Sequence, residues 1–142
     1  MLWKQAHDLA VLRQISQNTL VDTLGIEFTE VGQDFITARM PVDHRTVQPM
    51  RLLHGGASVA LAETLGSVAS VLCLDDPASQ APVGVEINAN HLNSAKEGAV
   101  VYGTARPLKI GRRLHVWNIE IKDESGKLIC VSRITIAVVE RR

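Results

Sequence analysis

Residues 54–74 read His54-Gly55-Gly56-Ala57-Ser58-Val59-Ala60-Leu61-Ala62-Glu63-Thr64-Leu65-Gly66-Ser67-Val68-Ala69-Ser70-Val71-Leu72-Cys73-Leu74. The apolar run 55–74 is too long for a strand and rich in Ala and Leu, so it is expected to be a helix. Asp75-Asp76-Pro77 stops it. Between Arg51 and Asp75 the only formal charge is Glu63. A carboxylate is almost never buried without a partner or a purpose. Either Glu63 marks the solvent face of an amphipathic helix, or it carries chemistry.

On the N-terminal side, Leu9, Leu12 and Ile15, then Leu20, Val21 and Leu24, recur at helical spacing and predict one or two short helices ending at Gly25. Ile26–Val31 and Phe35–Met40 read as strands joined by the turn Gly32-Gln33-Asp34. Pro41–Pro49 is a polar, proline-bounded loop. Beyond the central helix the pattern is β. In Val83–His91, Val83, Val85, Ile87 and Ala89 alternate with Glu86, Asn88 and Asn90, the period of a half-buried strand. Turns at Glu97-Gly98, Ile110-Gly111 and Asp123-Glu124-Ser125-Gly126 separate Ala99–Leu108, Leu114–Ile121 and Leu128–Val139. The order is β-β-α followed by four meandering strands, and such short connections favour antiparallel pairing. The expected class is α+β: one domain spanning 1–142, one long helix against an antiparallel sheet.

Composition narrows the function. The 142 residues suit a single domain with a real core, and acidic and basic side chains balance at 15 each. Nothing marks a nucleic-acid binder, and near-zero net charge favours self-association. Cys73 and Cys130 show no motif spacing and are expected to be free buried thiols, which points to a reducing, cytoplasmic setting. Met1–Asp8 has no apolar core of a signal peptide. Residues 55–74 are long enough to span a bilayer, but Glu63, three serines and three glycines argue against it. His7, His44, His54, His91 and His115 lack metal-ligand spacing, so no metal site is expected.

Around Glu63 the residues form a pattern. Ser67 lies one turn further on the same face, and Gly56, Ala60, Gly66 and Ser70 lie on or near it, small enough to admit a ligand or a close neighbour. Gly55 and Gly56 open the helix, where backbone N–H groups lack intrahelical partners and the dipole is positive, as an oxyanion requires. Gln48 and His54 add neutral polar groups to the same loop. Each element alone has an ordinary structural explanation; the combination asks for more. Glu63 lies about 12 Å along the helix axis from Gly55. One chain therefore cannot easily bring both to one carbonyl, whereas two antiparallel copies of the helix can.

The segment from Gln48 to Glu63 closely resembles the signature of hot-dog-fold acyl-CoA thioesterases. The likeness extends through Pro41–Thr46, Glu86–His91 and Val116-Trp117, hence over essentially the whole chain. The resemblance implies an antiparallel sheet wrapped around one long central helix. Its nearest members act on 1,4-dihydroxy-2-naphthoyl-CoA in menaquinone synthesis, and sister enzymes proofread aryl carrier proteins. It further implies Glu63 as nucleophile or general base, Gly55 N–H as oxyanion hole with Gln48 assisting, His54 orienting loop or carbonyl, and Ser67 positioning water or Glu63. Homodimers with shared sites, paired into tetramers, and cofactor-free hydrolysis follow from the same resemblance. Two departures stand out. The family commonly has Phe-Gly where this chain has Met50-Arg51, which places a charge near the expected acyl pocket, and a basic residue where this chain has Asn93.

A coenzyme A substrate needs cations for its phosphates. Arg112 and Arg113 are the first candidates, with Asn90 and His91 behind them; an ordinary solvated turn explains the arginines equally well. Three rivals remain. A dehydratase of the same fold would carry His-Phe-Pro rather than His54-Gly55-Gly56. A non-catalytic acyl-CoA sensor would carry an added basic DNA-binding segment. A purely structural dimer would leave Glu63 unexplained.

Overall fold

The computed structural model describes all 142 residues. Two short helices open the chain, α1 (Leu9–Ile15) and α2 (Leu20–Thr23). Asp8 caps α1, its carboxylate accepting the Ala10 N–H at 2.8 Å. Strands β1 (Glu27–Val31) and β2 (Ile36–Pro41) precede the long helix α3 (Gly55–Leu72), followed by β3 (Gln80–His91), β4 (Val100–Ile110), β5 (Leu114–Asp123) and β6 (Leu128–Glu140). One antiparallel six-stranded sheet results, in the order β1-β2-β4-β5-β6-β3. The α+β reading and the element order hold.

The meander holds only for β4, β5 and β6. The 92–99 connection is too long for a hairpin, and β3 does not pair with β4. It runs instead along β6, from Gln80 opposite Glu140 to His91 opposite Cys130, and forms one edge of the sheet. Its expected half-burial fails at its first half, where Val83 and Val85 are 47% and 63% exposed. A bulge between Gly84 and Glu86 leaves Val85 without an opposite number and resets the alternation, so only Ile87 and Ala89 pack on the core.

Helix α3 lies against β2 through β6. Its buried face carries Ala57, Ser58, Leu61, Ala62, Leu65, Gly66, Ala69, Ser70 and Leu72, the spacing of one helical stripe. Opposite it stand Ile36, Met40, Val101, Trp117, Ile119, Ile121 and Ile134. Leu61 and Leu65 are fully buried, each stabilising the fold by about 1.5–3 kcal/mol. The helix is the one element long and apolar enough to cross a membrane, and 50% of it is buried inside the fold.

The helix ends at Leu72, two residues before the apolar run does, because the N-terminal segment caps it there. The Leu72 carbonyl accepts the N–H groups of Lys4 and Gln5 at 2.7 and 3.1 Å, and Gln5 Nε2 donates to the Leu74 carbonyl at 2.7 Å. Trp3 stacks on Trp117, ring centroids 6.1 Å apart. Beneath that stack Ser70 Oγ accepts from Trp117 Nε1 at 2.8 Å and lies 3.0 Å from Nδ1 of the buried His115. Cys73 and Cys130 are free and buried, and burial pushes the Cys73 thiol up to about 11.

Burial likewise pushes His115 below its ordinary value of 6.5, against the pull of a hydrogen bond to the Gly111 backbone. A depressed folded pKa means the unfolded chain binds the proton more readily. The stabilisation is full above the unfolded value and is lost as pH falls through the folded one. Unfolding free energy should therefore decline as pH falls below about 6.5, the ordinary histidine value, and His115→Gln should flatten that slope in denaturant titrations. An unchanged slope would refute the assignment.

Candidate active site

The loop before α3 is built from inside outward. Thr46 is buried; its Oγ donates to the Pro41 carbonyl at 2.7 Å and accepts the Asp43 N–H at 3.0 Å. Asp43 and Arg45 form an ion pair of 2.7 Å, and hydrogen bonding from Arg45 lowers the Asp43 carboxyl to about 2. The Thr46 carbonyl then accepts the His54 N–H at 2.8 Å, fixing where the helix starts.

His54 is the N-cap of α3, and its Nδ1 accepts the Gly56 N–H at 2.8 Å. Because Nδ1 is the acceptor, the neutral ring carries its proton on Nε2. Sequence reasoning offered both glycine N–H groups as anion donors. Only the Gly55 N–H is free, for no protein acceptor takes it.

Gly55 borders an open hollow of about 420 Å³ that Gln48, Ser58, His91, Leu92, Asn93 and Ile129 also line. Gln48 Oε1 accepts the Met50 N–H, which leaves the Nε2 group as the donor toward that hollow. His91, at the end of β3, presses its ring edge on Gly55. A Cβ at residue 55 would stand 2.8 Å from His91 Nε2, so any side chain there would have to move the imidazole. Gln48, Gly55 and His91 thus converge on one hollow, and His54 caps the helix beside it without lining it.

Glu63 does not join them. It is exposed, at the flank of α3 beside β3 and β6, and faces a second hollow of about 180 Å³ with Gly84, Val85, Glu86, Ile87 and Ile134. The two hollows share no residue. A Cβ on Gly84 would stand 3.3 Å from Glu63 Oε1, so the bulged segment of β3 is where the carboxylate lies down. Ser67 follows one turn on, half-buried. The side-chain hydrogen bond on that face joins Thr64 Oγ1 to the Ala60 carbonyl at 2.7 Å, not Glu63 to Ser67.

The remaining candidates are scattered. Arg112 lines a third hollow beyond the C-terminal end of α3, with Lys4, Asp75 and His115, and Arg113 follows it in the β4–β5 turn, its carbonyl accepting the Val138 N–H. Within one chain neither arginine is near Gly55. Asn90 is exposed on β3 opposite Val131. Arg51 points away from the hollow into an ion pair with Glu97, so the charge expected near an acyl pocket is neutralised outside it. Sequence reasoning missed Ser58 and Asn93 as lining residues. Asn93 donates from Nδ2 to the Leu128 carbonyl at 2.8 Å, a contact no local pattern announces. No group of three or more His, Cys, Asp or Glu side chains converges in a way that could hold a metal ion.

A six-stranded antiparallel sheet packed against one long helix is the hot-dog architecture. Residues 50–130 match the family model described as Thioesterase superfamily, and the chain belongs to that family of thioester hydrolases. A 1,4-dihydroxy-2-naphthoyl-CoA hydrolase from Escherichia coli (strain K12) is 50% identical over 139 residues, covering 98% of this chain and 100% of that protein. The proofreading thioesterase EntH of Cronobacter turicensis is 49% identical over 139 residues, covering 98% and 99%. The crystal structure of a thioesterase from Haemophilus influenzae superposes with a TM-score of 0.94 at 50% identity, covering 99% of this chain and 96% of that one.

If the His91 ring is what excludes a side chain at residue 55, Gly55→Ala should turn that ring away from the helix start. An exposed ring at a strand end can swing, so the stability loss should stay below about 1 kcal/mol. NMR shifts of the His91 ring protons report the movement. Unchanged shifts would mean that the obstruction lies elsewhere.

Proposed function

We propose that this chain hydrolyses aryl- or medium-chain acyl-CoA thioesters, 1,4-dihydroxy-2-naphthoyl-CoA among them, to the free acid and coenzyme A. The observation that carries the reading is the division of the chemistry between two hollows: Gly55 N–H and Gln48 Nε2 in one, Glu63 in the other. A two-fold pair of chains with antiparallel α3 helices would bring the Glu63 of one copy to the Gly55 of the next. The exposed Val83 and Val85 beside Glu63, on an edge strand, suit such a contact.

In that arrangement the thioester carbonyl oxygen accepts from Gly55 N–H and Gln48 Nε2. Oxyanion-hole donors of this kind lower a barrier by about 2.7–4 kcal/mol each. Glu63 attacks the carbonyl carbon, or removes a proton from the water that does, with Ser67 positioning either. The C–S bond breaks, its electron pair leaves with sulfur, and water completes the acid. His54 holds the helix start in place and offers Nε2–H. Neither route calls on a cofactor. His91, Asn90, Arg112 and Arg113 are proposed for the coenzyme A moiety, the arginines from the partner copy, with dimers pairing into tetramers. A second reading, thioester proofreading on a carrier protein, is favoured by the 49% identity to the Cronobacter turicensis enzyme.

Free-thiol release should be measured on benzoyl-CoA and on acyl-CoA of increasing length. Wild type should release thiol, and Glu63→Ala should lose about 10²–10⁴-fold in kcat. No release by wild type from any substrate would overturn the thioesterase reading, and equal rates would remove Glu63 from it. For the shared site, inactive Glu63→Ala and inactive Gly55→Pro proteins should be mixed and allowed to exchange subunits. Proline is tolerated at the first helical position and removes the N–H, while its ring also displaces the His91 side chain. The exchanged mixture should regain about a quarter of the wild-type rate, because about half of the dimers are hybrids and each hybrid has one intact site of two. Silence after proven exchange would refute sharing.

A further inference from the structure

We infer that the Arg51–Glu97 ion pair is a conformational clamp that holds the Gln48 turn in its cavity-facing shape, which makes Arg51 a positioning residue for the carbonyl-binding side of the site. The inference rests on the function proposed above. Its starting point is backbone geometry. Arg51 stands at φ 62°, in the left-handed region that side-chain-bearing residues rarely adopt. Glycine enters that region freely; arginine stays there only where surrounding bonds over-determine it.

Those bonds are present. The Arg51 guanidinium meets Glu97 in a two-pronged contact, Nε to Oε2 at 2.8 Å and Nη2 to Oε1 at 2.6 Å. The Glu97 N–H donates back to the Arg51 carbonyl at 3.2 Å, and Leu52 bridges to Lys96. Residue 51 is therefore tied to 96–97 through both side chain and main chain.

What that tie controls is Gln48. The Arg51 N–H donates to the Gln48 carbonyl at 2.8 Å, closing the turn Gln48-Pro49-Met50-Arg51, and the Gln48 N–H donates to the Leu52 carbonyl at 2.9 Å. Within that turn Gln48 Oε1 accepts the Met50 N–H, which leaves Nε2 as the free donor of a side chain that lines the hollow Gly55 borders. If residue 51 relaxes from its left-handed conformation, the closing bond goes and Nε2 loses its aim. The pair is half exposed, 56% and 39%, and exposed pairs add little to overall stability. Its effect belongs in turnover.

The consequence is conditional. With arginine at 51, the turn depends on Glu97; with glycine at 51, it does not. On benzoyl-CoA, Glu97→Gln should lower kcat about three- to tenfold with KM within about twofold. The same Glu97→Gln change made in an Arg51→Gly chain should alter kcat by less than about twofold. The side-chain amide resonances of Gln48 should follow the same pattern, shifting on Glu97→Gln only where residue 51 is arginine. Equal effects of Glu97→Gln in both backgrounds, or none in either, would overturn the clamp. If wild type hydrolyses no thioester the functional reading falls by itself, and the Gln48 resonances still decide whether the clamp exists.

Discussion

The seating of α3 against the sheet is the constraint on which the rest depends. Leu61, Ala62, Leu65, Gly66 and Ala69 are buried by a surface that approaches so closely that a Cβ on Gly66 would stand 2.5 Å from Ile134. The helical repeat then leaves no freedom in what faces outward. Once those residues point in, Glu63 falls at the flank of the helix beside β3, and Ser67 follows it half-buried. The position of the carboxylate is a by-product of core packing, and core packing keeps it there.

Much of this was legible in the sequence because it is periodic. The helix, the strands and the α+β class follow from apolar spacing that burial enforces. The Gln48–Glu63 segment announced its family because glycine, histidine and glutamate at those intervals are an unusual combination. What was not legible is set by contacts distant in sequence. The pairing of β3 with β6 depends on how the chain passes around the helix, and the bulge at Val85 breaks the two-residue period that made β3 look half-buried. Spacing also could not say that His54 consumes the Gly56 N–H, or that the N-terminal segment ends the helix at Leu72, since both are choices of hydrogen-bond partner.

Arg51 shows the difference most plainly. As a letter in a motif it placed a charge near the expected acyl pocket. In the fold it is folded back on Glu97, and its unusual feature is the φ angle rather than the charge. The same loop shows how the framework supports the site. Thr46 is buried to anchor the loop, Asp43 and Arg45 brace it, and the His54 cap starts the helix at the one residue whose amide remains unpaired.

The two cysteines carry a chemical consequence of their burial. Thioester hydrolysis liberates a thiol on every turnover, and once that thiol is oxidised to a disulfide it can exchange with any cysteine thiolate it reaches. Mixed disulfides form through thiolates, and only where sulfur can be reached. Cys73 and Cys130 are 3% and 0% exposed, and desolvation holds both thiols up, Cys73 at about 11. Neither can readily be drawn into exchange with a disulfide of the released thiol. The packing that shapes the core also keeps the protein's sulfur out of such exchange.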